Sequence, residues 1–290
     1  MACRSRLISG SATLASDRLI LATPAPRINV VRSKPFEGVR VTAVNLARYR
    51  RCVAEPVYRS IVTGFKGIFR SLGLRFDIAG IENLPLTGGA VLALNHTSYV
   101  DFALGGIPAD RRGRRLVRFM AKESVFRHRV SGPLMRAMKH IPVDRNAGSQ
   151  AFDEAVRVLR AGELVGVFPE ATMSRSMDIK PIKSGAVRMA MEAGVPIIPM
   201  CVLGGARVYS YGHRDLSRGK TIAITVGEPL YPMPGDDIDA VTRELRDRMR
   251  VLLDETVARY PGDRDAWYLP ARLGGGAPKP ADVGEGEPVG

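Results

Sequence analysis

A histidine is followed five positions later by an aspartate in Asn95-His96-Thr97-Ser98-Tyr99-Val100-Asp101, directly after the apolar run Ala90–Leu94. An imidazole titrates near neutrality and can take a proton from a hydroxyl. A carboxylate on its other ring nitrogen would fix the tautomer and stabilise the imidazolium. Five residues on one continuous helix subtend about 140°, so His96 and Asp101 meet only if the chain turns between them, with Asp101 near the next helix start. Taken alone, such a pair is more often coincidence than a site. A second cluster, Phe168-Pro169-Glu170-Ala171-Thr172-Met173-Ser174-Arg175-Ser176, follows the run Leu164–Phe168. Its proline, small residues and hydroxyls read as a tight loop with many hydrogen-bonding groups. Arg175, Lys180 and Lys183 place cations beside it, suited to phosphate oxygens. By itself the stretch is more simply a basic surface loop.

The elements that must position these residues are short apolar runs alternating with helical patterns. Strands are expected at Leu74–Gly80, Ala90–Leu94, Leu116–Met120, Ile141–Val143, Leu164–Phe168, Ile197–Leu203 and Thr221–Val226. Between them, Ala151, Phe152, Ala155, Val156 and Leu159 form one helical face closed by Gly162. Ala186–Ala193 form another helix, ended by Gly194 before Pro196. A longer helix is expected over Ile238–Ala258, with Ile238, Val241, Leu245, Met249 and Leu252 inward. Alternation of this kind defines an α/β fold, a mostly parallel layered sheet covered by helices. Sites in such sheets gather at the carboxyl ends of strands, where His96 falls.

Ahead of the sheet, Val57, Tyr58, Ile61, Val62, Phe65, Ile68, Phe69 and Leu72 recur at spacings of three and four, with Arg59, Lys66 and Arg70 towards the other side. This amphipathic N-terminal segment, 55–73, reads either as a helix packed on the domain or as an interfacial helix with its aromatics in the acyl boundary of a membrane. Residues 1–54 lack sustained periodicity, apart from a short possible strand at Val39–Val44, and read as a loosely ordered extension. The α/β domain is expected over 74–272. Residues 273–290 are mostly Gly, Pro, Ala and acidic residues, a composition expected to form a disordered tail.

The 43 Lys and Arg against 29 Asp and Glu give a net charge of +14, which calls for an acidic partner. Nucleic acid, anionic lipid, phosphorylated substrates and acidic carrier proteins all satisfy that charge. A specific nucleic-acid binder is disfavoured, because there is no zinc-finger spacing or RNA-recognition signature and the aromatic fraction is 6%. Three scattered cysteines exclude a disulfide framework and a cysteine-built zinc site, and they fit a reducing compartment. No window approaches the roughly 20 apolar residues of a spanning helix, and the N-terminus lacks the continuous apolar stretch of a secretory signal.

Taken together, the motifs carry a resemblance. Asn95 to Asp101 resembles the N-H-x-x-x-x-D motif of the glycerolipid acyltransferases, the lysophosphatidic acid acyltransferase family. Phe168 to Ser174 is similar to that family's F-P-E-G-T-R-S motif. Ile141-Pro142-Val143-Asp144-Arg145 resembles its third block and Val195-Pro196-Ile197-Ile198-Pro199 its fourth, while Lys122 matches a lysine commonly found between the first two blocks. The blocks occur in family order across roughly residues 80 to 230. The resemblance implies transfer of a fatty acyl group from acyl-CoA or an acyl carrier protein to the hydroxyl of a lysophospholipid, in phospholipid biosynthesis. It implies no cofactor beyond that co-substrate. His96 would be the general base and Asp101 its orienting partner, with direct attack on the thioester and no acyl-enzyme. The absence of a G-x-S-x-G elbow agrees with that. Glu170, Thr172 and Arg145 carry over as acceptor-binding residues, alongside Lys122. Peripheral attachment to the cytoplasmic face of the cell membrane follows from the same resemblance.

The chain departs from the pattern at two positions. Ala171 and Met173 stand where the family usually has Gly and Arg, and that arginine is thought to hold the acceptor phosphate. Either Arg175, two residues later, supplies the charge, or the acceptor carries a diester headgroup. The basic run Arg111, Arg112, Arg114, Arg115 and Arg118 contacts anionic lipid, receives an acidic acyl carrier protein or the phosphates of CoA, or forms a solvated loop.

Overall fold

The computed structural model describes residues 55–144 and 148–285. The expectations for 1–54, including the strand at Val39–Val44, and for Arg145 lie outside the described residues. A seven-stranded sheet forms the centre. Its strands are β1 (Arg75–Ala79), β2 (Ala90–Leu94), β3 (Val117–Lys122), β4 (Ile141–Val143), β5 (Leu164–Val167), β6 (Ile197–Leu203) and β9 (Thr221–Val226). Their order is β1-β9-β6-β2-β5-β3-β4. Every neighbouring pair is parallel except β6 with β9, where Met200 faces Val226 and Leu203 faces Ala223. A two-stranded ribbon, β7 (Tyr209–Ser210) and β8 (His213–Arg214), follows β6.

The central strands are apolar throughout because both faces of the sheet are covered. Along β2, Val91 and Ala93 enter one core, and Ala90, Leu92 and Leu94 enter the other. The first core is closed by α5 (Gly148–Arg160), α6 (Gly185–Ala193) and α7 (Ile238–Arg259), and the second by α1 (Pro56–Ser71) and α2 (Asp101–Gly113). Two short helices, α3 (Glu123–Arg127) and α4 (Ser131–Ala137), connect β3 to β4. Gly194 adopts φ 64°, the left-handed cap that lets α6 stop and the chain enter β6 within three residues.

The aromatic stripe of α1 is committed to the domain. Tyr58 donates a hydrogen bond to the Val117 carbonyl at 2.6 Å, and Phe65 meets Phe102 edge to face at 5.8 Å. Phe69 packs on Phe76. This corrects the reading that places these aromatics at an acyl boundary. The outer surface of α1 shows Val57, Ile68, Gly64, Gly67, Lys66 and Arg70 instead. Among the described residues, no helix is long and apolar enough to cross a membrane.

The basic run also divides. Arg118 is buried, paired with Glu55 and Glu163 at 2.6 and 2.7 Å, and it donates to the Met138 carbonyl. Arg115 ties the carbonyls of Pro85, Gly88 and Gly162 together. These two arginines hold loops of the fold, which leaves neither of them for lipid. Arg111 to Arg115 close α2 and precede β3, and Arg118 is the second residue of β3, so the run lies at the end of the parallel strands opposite His96.

The tail expectation needs a larger correction. Residues 274–285 are packed on the domain. Ala277 is buried and donates its N–H to the Leu269 carbonyl at 3.1 Å, and a turn at Pro280–Val283 follows. Glycine-rich composition signals disorder only when no partner surface is available. Here Arg272 anchors the segment through Asp178 at 2.7 Å and Asp254 at 2.5 Å.

Candidate active site

His96 and Asp101 meet through the turn that their spacing demanded. β2 ends at Leu94, and the Asn95 side chain is fixed by both the N–H and the carbonyl of Val202 on β6, at 2.7 and 3.1 Å. The chain then reverses, and Asp101 is the first residue of α2. Its Oδ2 lies 3.1 Å from His96 Nδ1 and accepts the N–H groups of Thr97 and Ser98, each at 2.7 Å. Ser98 Oγ donates to Oδ1. An ionised carboxylate only accepts, so Nδ1 carries the proton and Nε2 is left as the basic nitrogen. Asp101 is 1% exposed, whereas the His96 side chain is 24% exposed and stacks on Phe168 at 4.3 Å. The imidazole is thus gripped on one side and open on the other.

The loop after β5 is braced against the same turn. Glu170 accepts the His96 N–H on Oε1 at 2.9 Å and the Lys180 N–H on Oε2 at 3.2 Å. The Ser174 N–H donates to the His96 carbonyl at 2.7 Å. Burial pushes the Glu170 carboxyl up to about 8, against the lowering effect of those two amides and of Lys180. Lys180 turns its ammonium under the loop, donating to the Thr172 carbonyl, Thr172 Oγ1 and the Met173 carbonyl at 2.8, 2.6 and 3.1 Å. Ala171 adopts φ 63°, a left-handed conformation that glycine takes without strain. This is the position where the family motif has glycine.

A cleft of ≈ 520 Å³ opens beside Glu170, lined by Thr172, Met173, Arg175, Lys180 and Tyr211 among others. Arg175 is exposed at its rim, its guanidinium 5.4 Å from the Tyr211 ring. Thr172 and Arg175 therefore stand together on the loop that is bonded to the histidine turn. Glu170 lines the cleft too, but both its oxygens are taken by backbone amides, which makes it a brace between the two motifs. Lys122 ends β3 at the same edge of the sheet and is exposed, two strands away from β2. The fourth block builds the buried start of β6, where Pro199 pairs with Ala93, and does not line the cleft.

Three contributors escaped the motif reading. Ser98 holds the second oxygen of Asp101. Gly205, after β6, sits so close that a Cβ there would come within 2.6 Å of Ser98 Oγ and 2.9 Å of Asp101 Oδ1. Glu285 enters the cleft from the far end of the chain. The hydroxyl two residues after the histidine was a visible signal for the first. The other two depend on contacts across more than a hundred residues.

A strand-end histidine paired with a buried aspartate, next to the loop that lines the cleft and on a mostly parallel sheet, is the arrangement of an α/β enzyme site. The comparisons agree with that class. The family model described as Acyltransferase matches residues 75–203, which span every strand from β1 to β6. The 1-acyl-sn-glycerol-3-phosphate acyltransferase of Bacillus subtilis is 30% identical over 181 residues, covering 59% of this chain and 84% of that one. A chloroplast 1-acyl-sn-glycerol-3-phosphate acyltransferase of Brassica napus is 26% identical over 181 residues, and there the match spans 60% of this chain and about half, 49%, of the relative. The crystal structure of the 1-acyl-sn-glycerophosphate acyltransferase PlsC of Thermotoga maritima shares the fold, with a TM-score of 0.59 at 22% identity, covering 76% of this chain and 89% of that one. The chain belongs to the acyltransferase family and is an enzyme resembling the 1-acylglycerol-3-phosphate O-acyltransferases.

Proposed function

We propose that this enzyme moves a fatty acyl group from an acyl thioester to the free hydroxyl of a lysophospholipid, with 1-acyl-sn-glycerol-3-phosphate as acceptor, in phospholipid synthesis. The observation that carries the reading is the His96–Asp101 pair, with Nδ1 held by a buried carboxylate and the backbone of His96 bonded to Glu170 and Ser174 of the loop that lines a cation-bearing cleft. Nε2 takes the proton of the acceptor hydroxyl as its oxygen attacks the thioester carbonyl. Asp101 stabilises the imidazolium that forms, as a positioning residue. Collapse of the tetrahedral intermediate breaks the C–S bond, and the proton on Nε2 passes to the departing thiolate. The product is a new ester, and His96 is regenerated without an acyl-enzyme. Acyl-CoA and acyl carrier protein both present such a thioester.

Thr172 and Arg175 face the acceptor in this reading, Lys122 stands at a neighbouring strand end, and the resemblance adds Arg145 as a further acceptor-binding residue. The names borne by the relatives support a phosphomonoester acceptor. Met173, in place of the family arginine, favours a diester headgroup, and a panel of lysolipids decides between the two. The exposed Val57 and Ile68 of α1, with Arg70 beside them, and the charge of +14 support peripheral attachment to an anionic membrane face.

The test is His96→Ala, assayed with labelled acyl-CoA and acyl carrier protein against that panel. Transfer should be abolished while the melting temperature and lipid binding are retained. Unchanged turnover overturns the assignment.

A further inference from the structure

The returning C-terminal segment brings a carboxylate into the cleft. Arg272 clamps the segment to Asp178 and Asp254, and Gly284, at φ 70°, reverses the chain so that Glu285 reaches the loop after β5. Glu285 Oε1 accepts the Arg175 N–H at 2.8 Å, and Oε2 accepts the Ser176 N–H at 3.0 Å. Ser174 Oγ lies 3.2 Å from Oε2, and the ammonium of Lys180 lies 3.9 Å from Oε1. Lys180 is 8% exposed, so its charge is held in place rather than shared with solvent. Two adjacent backbone amides and a buried cation form a concavity suited to a tetrahedral or planar oxyanion, while the Ser174 hydroxyl gives its proton to the Asp178 carbonyl at 2.8 Å. The carboxylate of Glu285 is held well enough by these donors to stay below the usual range in spite of burial, which acts the other way.

We propose that this nest binds a phosphate group of the lipid acceptor, and that Glu285 occupies it as an intramolecular competitor that must withdraw before the acceptor binds. The inference rests on the lysophospholipid reading above and names the headgroup contact within it. Met173 offers no charge at the position of the family arginine. The amides of Arg175 and Ser176 supply the missing donors from the next turn of the same loop, and Lys180, whose three N–H groups are spent on Thr172 and Met173, adds its charge. The phosphates of CoA carry the same chemistry, so the test separates the two sources.

The experiment compares wild type with Glu285→Gln and with Arg272→Gln, which loosens the anchor but leaves the nest and Glu285 intact. Binding of a short-chain, micelle-free lysophosphatidic acid and of CoA is measured by calorimetry, and KM and kcat are measured for both substrates. Weakening a charge-assisted ligand of this kind should tighten acceptor binding about tenfold. The acceptor KM should fall in both variants, with kcat and the acyl-CoA KM unchanged. Equal or weaker acceptor binding in both variants makes Glu285 a structural strap and overturns the proposal. A change confined to CoA assigns the nest to the donor and overturns it as well. Those outcomes leave acyl transfer itself intact, whereas the absence of both binding and transfer with every lysolipid overturns this proposal and the functional reading together.

Discussion

Replacing Asp101 by Asn tests whether the buried carboxylate acts on the imidazolium or only shapes the turn. Oδ2 receives His96 Nδ1, the Thr97 N–H and the Ser98 N–H, whereas Oδ1 faces only the Ser98 hydroxyl. An asparagine therefore places its carbonyl oxygen at the Oδ2 position and its NH2 against Ser98 Oγ, which can accept. The turn survives, but the negative charge is lost. With an effective dielectric near 20, a unit charge pair at this contact distance interacts by roughly 5 kcal/mol. Partial solvation of the exposed side of His96 reduces this, so a loss of about 4 kcal/mol in transition-state stabilisation is expected, roughly a thousandfold in kcat. The assay is steady-state acyl transfer with saturating acyl-CoA, accompanied by thermal melting. The acceptor KM should stay within a small factor, because Asp101 does not line the cleft. A fall in kcat below tenfold, or a loss of folding that accounts for the lost rate, refutes the reasoning.

Gly205→Ala should lower kcat at least about tenfold with the fold retained, since the new methyl group must displace Ser98 Oγ or Asp101 and small misplacements at a reacting pair are costly; unaltered kinetics would show that the turn gives way freely. Ala171→Gly should raise stability by about 0.5–1 kcal/mol in chemical denaturation, because relief of the left-handed strain exceeds the added freedom of the unfolded chain; a destabilised variant would contradict this. Stability should fall between about pH 6.5 and 8. Glu170 keeps its proton in the folded chain up to about 8 but loses it near 4.5 when unfolded, so the unfolded state binds fewer protons across that window. Below pH 6.5 the trend is opposed by His140, which burial and Arg118 push down to about 3 and whose unfolded form takes up a proton near 6.5. Denaturant titrations across pH read both limbs, and Glu170→Gln should flatten the alkaline one.

Much of the architecture is legible locally. Apolar runs such as Ala90–Leu94 and Ile197–Leu203 can be satisfied only in a sheet covered on both faces, and their bounds coincide with β2 and β6. The requirement for a turn between His96 and Asp101 follows from helix geometry alone, and the strand end that places it is visible in the same few residues. Side-chain chemistry over short spans therefore determined the element types, the paired histidine and aspartate, and the loop that accompanies them. Long-range partners were decided only on folding. The sign of the β6–β9 pairing, the burial of Arg118 between Glu55 and Glu163, and the placing of Gly205 against Ser98 each join segments whose local patterns are indifferent to one another. The same holds for Glu170, whose carboxylate reads as a ligand for substrate until the amides of His96 and Lys180 are seen to consume it. It holds most strongly for the glycine-rich tail. Its composition argues for disorder, yet Arg272 finds two carboxylates and Glu285 finds two amides only once the sheet has brought the loop, α7 and the chain's far end into one place.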